Sequence, residues 1–211
     1  MLERRVLPGY AAAYVALAQR GFDAMARAVP GWSRLDLYVD EHDPDHLLVL
    51  FGWASRADLQ AYAAAIPAEL QAVAAEHLAA GEPPPGRAAG RHAWFREEHT
   101  FEQLYAPSGH VIATWWSLDG VRAADADALP KRVFDVGKGQ PGAHLLRLLR
   151  SVDDPNVGLL MQHWADRAAH LAAQGAVRAA LGAWIARATL RRFEGAVGTR
   201  WDRGDWARGG A

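Results

Sequence analysis

The chain has 211 residues, of which 51% are hydrophobic and 22% charged, the balance of an ordinary folded protein with one large or two small domains. A net charge of −1 offers no basic field for nucleic acid or an anionic membrane, and the absence of cysteine removes disulfides, thiolate nucleophiles and Cys-ligated metals together. The opening MLERRVLPGY lacks the apolar core of a signal peptide, and no run of 18 apolar residues occurs, so a cytoplasmic protein is expected.

The elements follow in chain order. Residues 1–7 form a short strand candidate, stopped by Pro8-Gly9. Tyr10 to Val29 carries helical periodicity, with Tyr14, Leu17, Phe22, Met25 and Val29 near one stripe, and Pro30-Gly31 ends it. Leu35, Leu37 and Val39 alternate with polar residues as in a half-buried strand. His42-Asp43-Pro44-Asp45-His46 is a turn, and Leu47 to Trp53 a buried strand. Ser55 is placed to cap a helix running towards Leu78, interrupted at Pro67. The proline-rich loop 81–91 leads to a last strand between His92 and Leu104.

From Val111 the order starts again. Val111 to Leu118 is a strand, and a shorter helix around 121–136 is disturbed by Pro130. Leu145 to Leu149 and Gly158 to Trp164 make a hairpin, 166–188 a long helix, and Arg191 to Arg200 a closing strand. Residues 30–59 align with 141–170 without a gap, and eleven of the thirty positions are identical. Among them are Pro30/Pro141, Gly31/Gly142, Asp43/Asp154, Pro44/Pro155 and Trp53/Trp164. The chain therefore reads as α+β, two tandem β-α-β-β-α-β (ferredoxin-like) units over 1–105 and 110–203, with a frayed tail at 204–211. A four-stranded sheet with helices on one face leaves the other bare. The two units are expected to cover each other as a pseudo-dimer within one chain, with further association open.

A β-α-β-β-α-β unit whose third strand ends in Trp-x-[Ser/Asp]-Arg, after an Asp-Pro-Asp or Asp-Pro-Asn turn, resembles the antibiotic biosynthesis monooxygenase family of dimeric α+β barrels. The resemblance covers nearly the whole chain. It implies a cavity in each unit between sheet and helices, and activities such as cofactor-independent oxidation of aromatic polyketides or oxidative haem breakdown. The polar set of the polyketide-oxidising members is mostly replaced. Their Asn falls on Val49 and Leu160, their Tyr on Leu59 and His170, and their helical Arg on Val73 and Trp184. In the haem-degrading branch the catalytic aromatic maps to Tyr62 and Ala173, the iron-ligating His to Ala72 and Ala183, and the first-strand Asn to Glu3 and Thr114. Haem binding in the usual manner is not expected, and His77 lies on another side of the helix.

The resemblance implies His170 as a catalytic base, neutral near pH 7, with Trp164 stacking on the substrate. Trp53 and Tyr62 would line a second cavity, and Thr114 and Trp116, which share one side of the first strand of the second unit, are expected to contact the substrate there. Trp115 and His163 point to the opposite side from Trp116 and Trp164. The histidines at 42 and 46 have no counterpart in the second copy, so that segment reads as a turn rather than a metal site. No metal and no cofactor is expected, and the partner is a small aromatic or hydrophobic ligand. A non-catalytic binder or scaffold is the alternative.

Overall fold

The computed structural model describes residues 1–26, 31–82, 93–103, 108–118, 123–181 and 189–202. Most of the proline-rich loop, part of the linker, Ala183, Trp184 and the tail at 204–211 lie outside the described residues. The elements are β1 (Leu2–Arg5), α1 (Ala11–Ala26), β2 (Trp32–Asp40), β3 (His46–Trp53), α2 (Arg56–Ala65), α3 (Ala68–Ala75), β4 (Phe95–Glu102), β5 (His110–Ser117), α4 (Ala123–Lys138), β6 (Ala143–Ser151), β7 (Val157–Trp164), α5 (Arg167–Leu181) and β8 (Thr189–Asp202). Among them no helix is long and apolar enough to cross a membrane.

The two hairpins match residue for residue. Leu35 pairs with Phe51 as Leu146 pairs with Gln162, and Trp32 pairs with Trp53 as Ala143 pairs with Trp164. Each ladder shifts register at the same place, between Trp32 and Arg34 and between Ala143 and Leu145. The turns match as well. Asp40 Oδ1 accepts from the backbone of His42 and Asp43, and Ser151 Oγ accepts from that of Asp153 and Asp154. Gly31 and Gly142 both adopt positive φ, at 85° and 78°, and each carbonyl accepts from the residue after the strand-end Trp. A side chain at these two glycines would meet Asp58 and Ala169, on the helices that follow β3 and β7.

Helix starts follow local chemistry. Ser55 Oγ accepts from the Asp58 backbone at 3.2 Å, and Asp166 Oδ1 accepts from the Ala169 backbone at 2.8 Å. Pro67 divides α2 from α3 as expected. Pro130 does not break its helix: α4 has 16 residues, as many as α1, and passes through it. One proline deletes one backbone donor, and Val133 and Phe134, buried immediately after it, anchor the helix on the core of the second unit.

By packing, the chain forms one compact unit from residues 1–93 and 197–211 and another from 94–196. In the second, the strands run β8-β5-β7-β6-β4. The first four have the fourth-first-third-second order of a ferredoxin-like unit. β4, the closing strand of the first repeat, lies antiparallel on β6, with Phe95 opposite Ser151 and Glu102 opposite Leu145. Arg150 Nε reaches Glu98 at 3.2 Å and Arg150 Nη1 donates to the Pro155 carbonyl at 2.9 Å, fastening β4 and the turn to β6. The first compact unit holds β1-β3-β2 with the end of β8 beside β2. The repeat ranges 1–105 and 110–203 and the compact units thus differ by the placement of the two closing strands.

Each core lies between sheet and helices. In the first unit it contains Val6, Tyr14, Trp32, Leu35, Leu37 and Val49. In the second it contains Ile112, Trp116, Phe134, Leu146, Leu160 and Trp164.

Candidate functional site

Trp164 ends β7 with 0% exposure, facing the helices together with Leu160 and clustering with Ala173 of α5. Its direct partner across the ladder is His110, the first residue of β5. The cap at Asp166 starts α5 so that its first turn carries His170 back over the same point. The ring centroids of Trp164 and His170 are 5.6 Å apart, and those of His110 and His170 5.2 Å. His110 Nε2 stands 3.3 Å from His170 Nδ1. Both histidines are buried, at 3% and 6% exposure.

Charges gather behind this pair. Glu194 on β8 lies 3.4 Å from His110 Nε2, and it also meets Arg167 of α5 at 3.4 Å and Arg192 of β8 at 3.1 Å. Burial pushes the His170 imidazolium down to about 4, helped by the neighbouring Arg192, His110 and Arg167. His170 is therefore neutral at pH 7, with one ring nitrogen bare. The Trp164 indole N–H is buried and has no hydrogen-bond acceptor among the described residues. A buried donor of this kind calls for a partner.

The corresponding place in the first unit is built differently. Trp53 packs on Tyr62 at 5.1 Å and on Trp32 at 6.4 Å, and its N–H also lacks an acceptor among the described residues. Leu59 stands where the second unit has His170, and it is buried. Burial raises the Tyr62 phenol above its usual range, so it stays protonated. Tyr14 and the buried Arg4 add polar groups to this core, Arg4 meeting Glu82 at 3.7 Å.

The structure thus brings His170 and Trp164 together, and Trp53 and Tyr62 together in the other unit. Thr114 and Trp116 do share the helix-facing side of β5 with Ile112, because Thr114 pairs with Leu160 and Trp116 with Gly158. They lie further along β5 from His110, however: Thr114 four positions on, about 13 Å of strand, and Trp116 six, about 20 Å. Trp116 packs in the core at the other end, its ring lying over the bare Cα of Gly158. His163 is buried on the face opposite Trp164, opposite Val111 and Leu145. On that face the Arg191 guanidinium covers the Trp115 ring at 4.2 Å. His46 binds Asp40 at 3.1 Å and Glu3 at 3.6 Å through different ring nitrogens, which ties the turn to β1.

The sequence profile of antibiotic biosynthesis monooxygenases matches the chain twice, over residues 1–76 and 109–184. The chain belongs to the antibiotic biosynthesis monooxygenase family. It is α+β, with two ferredoxin-like units in tandem. Solved structures share this fold at low identity. A candidate monooxygenase from Fusobacterium nucleatum is 10% identical with a TM-score of 0.70, covering 95% of this chain and 92% of its own. One from Lactobacillus acidophilus is 10% identical with a TM-score of 0.62, covering 95% and 93%. An anthrone oxidase-like protein is 12% identical with a TM-score of 0.64, covering 96% and 91%. No curated protein matches the sequence. Within the family frame, the residue that sequence reasoning missed is His110. It lies at the very start of its strand, and only the β5–β7 register places it against Trp164.

Proposed function

We propose that the second unit oxidises a flat aromatic small molecule, an anthrone or electron-rich phenol of polyketide type, with molecular oxygen and no cofactor. The observation that carries this reading is the buried His170, neutral at pH 7, held 5.6 Å from the Trp164 ring. Where the first repeat buries Leu59, the second buries a histidine, at the cost of desolvating a polar ring. A costly group in a dry place is the signature of a chemical role.

In the reaction, His170 accepts a proton from the substrate C–H, and the carbanion passes its electrons to oxygen to give a peroxide anion on that carbon. The peroxide regains the proton from His170. Loss of water then leaves a ketone, so that one CH2 and one O2 become one C=O and one H2O. Trp164 orients the ring plane, and its N–H is available to an oxygen of the substrate. Trp53 and Tyr62 form a second aromatic site with no base at the His170 position, suited to binding rather than oxidation. Thr114 and Trp116 support the second unit from further along β5. We place the protein in the cytoplasm, in secondary metabolism.

Oxygen uptake with dithranol as the anthrone, in metal-chelated buffer, tests the reading. Uptake that falls at least tenfold in His170→Ala supports it, and an unchanged rate overturns it. A binder without chemistry is favoured by Val49 and Leu160, buried and apolar where polyketide-oxidising members resemble each other in carrying Asn. Quenching of Trp fluorescence by dithranol without any uptake would decide for the binder.

A further inference from the structure

We propose that the proton His170 removes is handed on to His110 and held there by Glu194, so that Glu194, His110 and His170 act as one relay. This rests on His170 being the base of the preceding section. The difficulty it answers is physical. A proton resting on His170 is opposed by burial and faces Arg167 from α5 and Arg192 from β8. The same ring, however, reaches His110 through Nδ1 at 3.3 Å, and the nitrogen it reaches, Nε2, is also the one 3.4 Å from Glu194 Oε1. One atom of His110 therefore meets both the donor of the proton and the carboxylate that stabilises it. Arg167 and Arg192 fix Glu194 in that position, at 3.4 and 3.1 Å.

At rest both rings are neutral; His170 carries its hydrogen on Nδ1, donated to His110 Nε2, and His110 carries its own on Nδ1. The substrate proton enters at His170 Nε2 while the Nδ1 hydrogen crosses to His110 Nε2. His110 becomes the imidazolium, beside the Glu194 carboxylate, and His170 ends neutral in its other tautomer. The reverse passage returns the proton to the peroxide. No charge rests on His170 at either end. Glu194 and His110 are positioning residues here: neither touches the substrate, and both act through His170. The first repeat has Leu59 at this place, which can take no part in such a chain.

The test uses the full-length protein labelled with 15N-histidine. On lowering pH, the first ring of the pair to give the two-nitrogen imidazolium signal should be His110, with His170 changing tautomer but not charge. Glu194→Gln should move that event down by about one pH unit and lower kcat for dithranol oxidation about tenfold with KM unchanged. Arg167→Ala, which leaves Arg192 to hold the Glu194 carboxylate, should keep His110 as the first site. If Glu194→Gln does not fold, His110→Gln serves, with His170 then locked in one tautomer and kcat reduced. Protonation of His170 first, or titrations of both rings unmoved in Glu194→Gln, overturns the relay. The NMR readout is independent of turnover. A relay seen without any oxygen uptake would sink the oxidase reading alone, and uptake that depends on His170 but not on Glu194 or His110 would sink the relay alone.

Discussion

Leu59 and His170 occupy the same place in the two repeats, one turn into the helix after the strand-end Trp, and both are buried. Leucine there is what a core wants. Histidine there remains neutral down to about pH 4, whereas an unfolded histidine takes a proton near 6.5. The unfolded state binds more protons in that window, so stability is complete above pH 6.5 and falls as the pH drops towards 4. His170→Leu should abolish oxidation and make the protein more resistant to urea at pH 5, by on the order of 1–2 kcal/mol once screening is allowed for. At pH 7.5 the gain should be small. Urea midpoints at the two pH values check this.

His46 titrates with the opposite sign. Its hydrogen bonds to Glu3, and then to Asp40, raise its pKa against the opposing effect of burial. A raised histidine contributes stability below its unfolded value of about 6.5, and that contribution is lost as pH rises through the folded value. His46→Gln should flatten the decline in thermal stability of the wild-type chain as pH rises above about 6.5. An equally steep decline in the variant would show that the turn does not depend on this ring.

The two strand-end tryptophans should separate in function. Trp164→Phe keeps most of the buried volume but loses the N–H and part of the stacking surface. It should cost about 1–2 kcal/mol of stability and reduce oxygen uptake about tenfold. Trp53→Phe should leave uptake near the wild-type rate and change only the fluorescence response to dithranol. Equal losses in both variants would mean that both repeats are catalytic.

Gly158 can be tested by stability alone. Any Cβ there would overlap the Trp116 ring. Gly158→Ala should lower stability by about 1–3 kcal/mol, and adding Trp116→Leu should recover part of it. Melting temperatures of the single and double variants provide the comparison. No recovery would place the cost in the backbone instead.

Much of this was legible in the sequence because it is local. The Asp-Pro turns, the Ser55 cap, the break at Pro67 and the equivalence of Trp53 with Trp164 depend on neighbours a few residues apart. His170 follows from the family resemblance, because it falls where the polyketide-oxidising members carry a Tyr after the strand-end Trp. What stayed hidden depends on register and long-range pairing. His110 acquires meaning only through its ladder position opposite Trp164, 54 residues away by number. The edge taken by β4 follows from which strand has a free ladder, which no pattern within 92–104 records. Pro130 reads as disturbing a short helix because propensity alone carries no record of the core contacts of Val133 and Phe134, which hold α4 to its full length.

The place of β4 bears on how such a chain could be divided. The strand encoded at the end of the first repeat completes the sheet of the second, and the strand encoded at the end of the second finishes beside β2 of the first. A cut between the repeats would therefore yield two fragments, each carrying a piece that the other lacks. Neither would be a finished protein by itself, and mixing them would restore each compact unit only by mutual exchange.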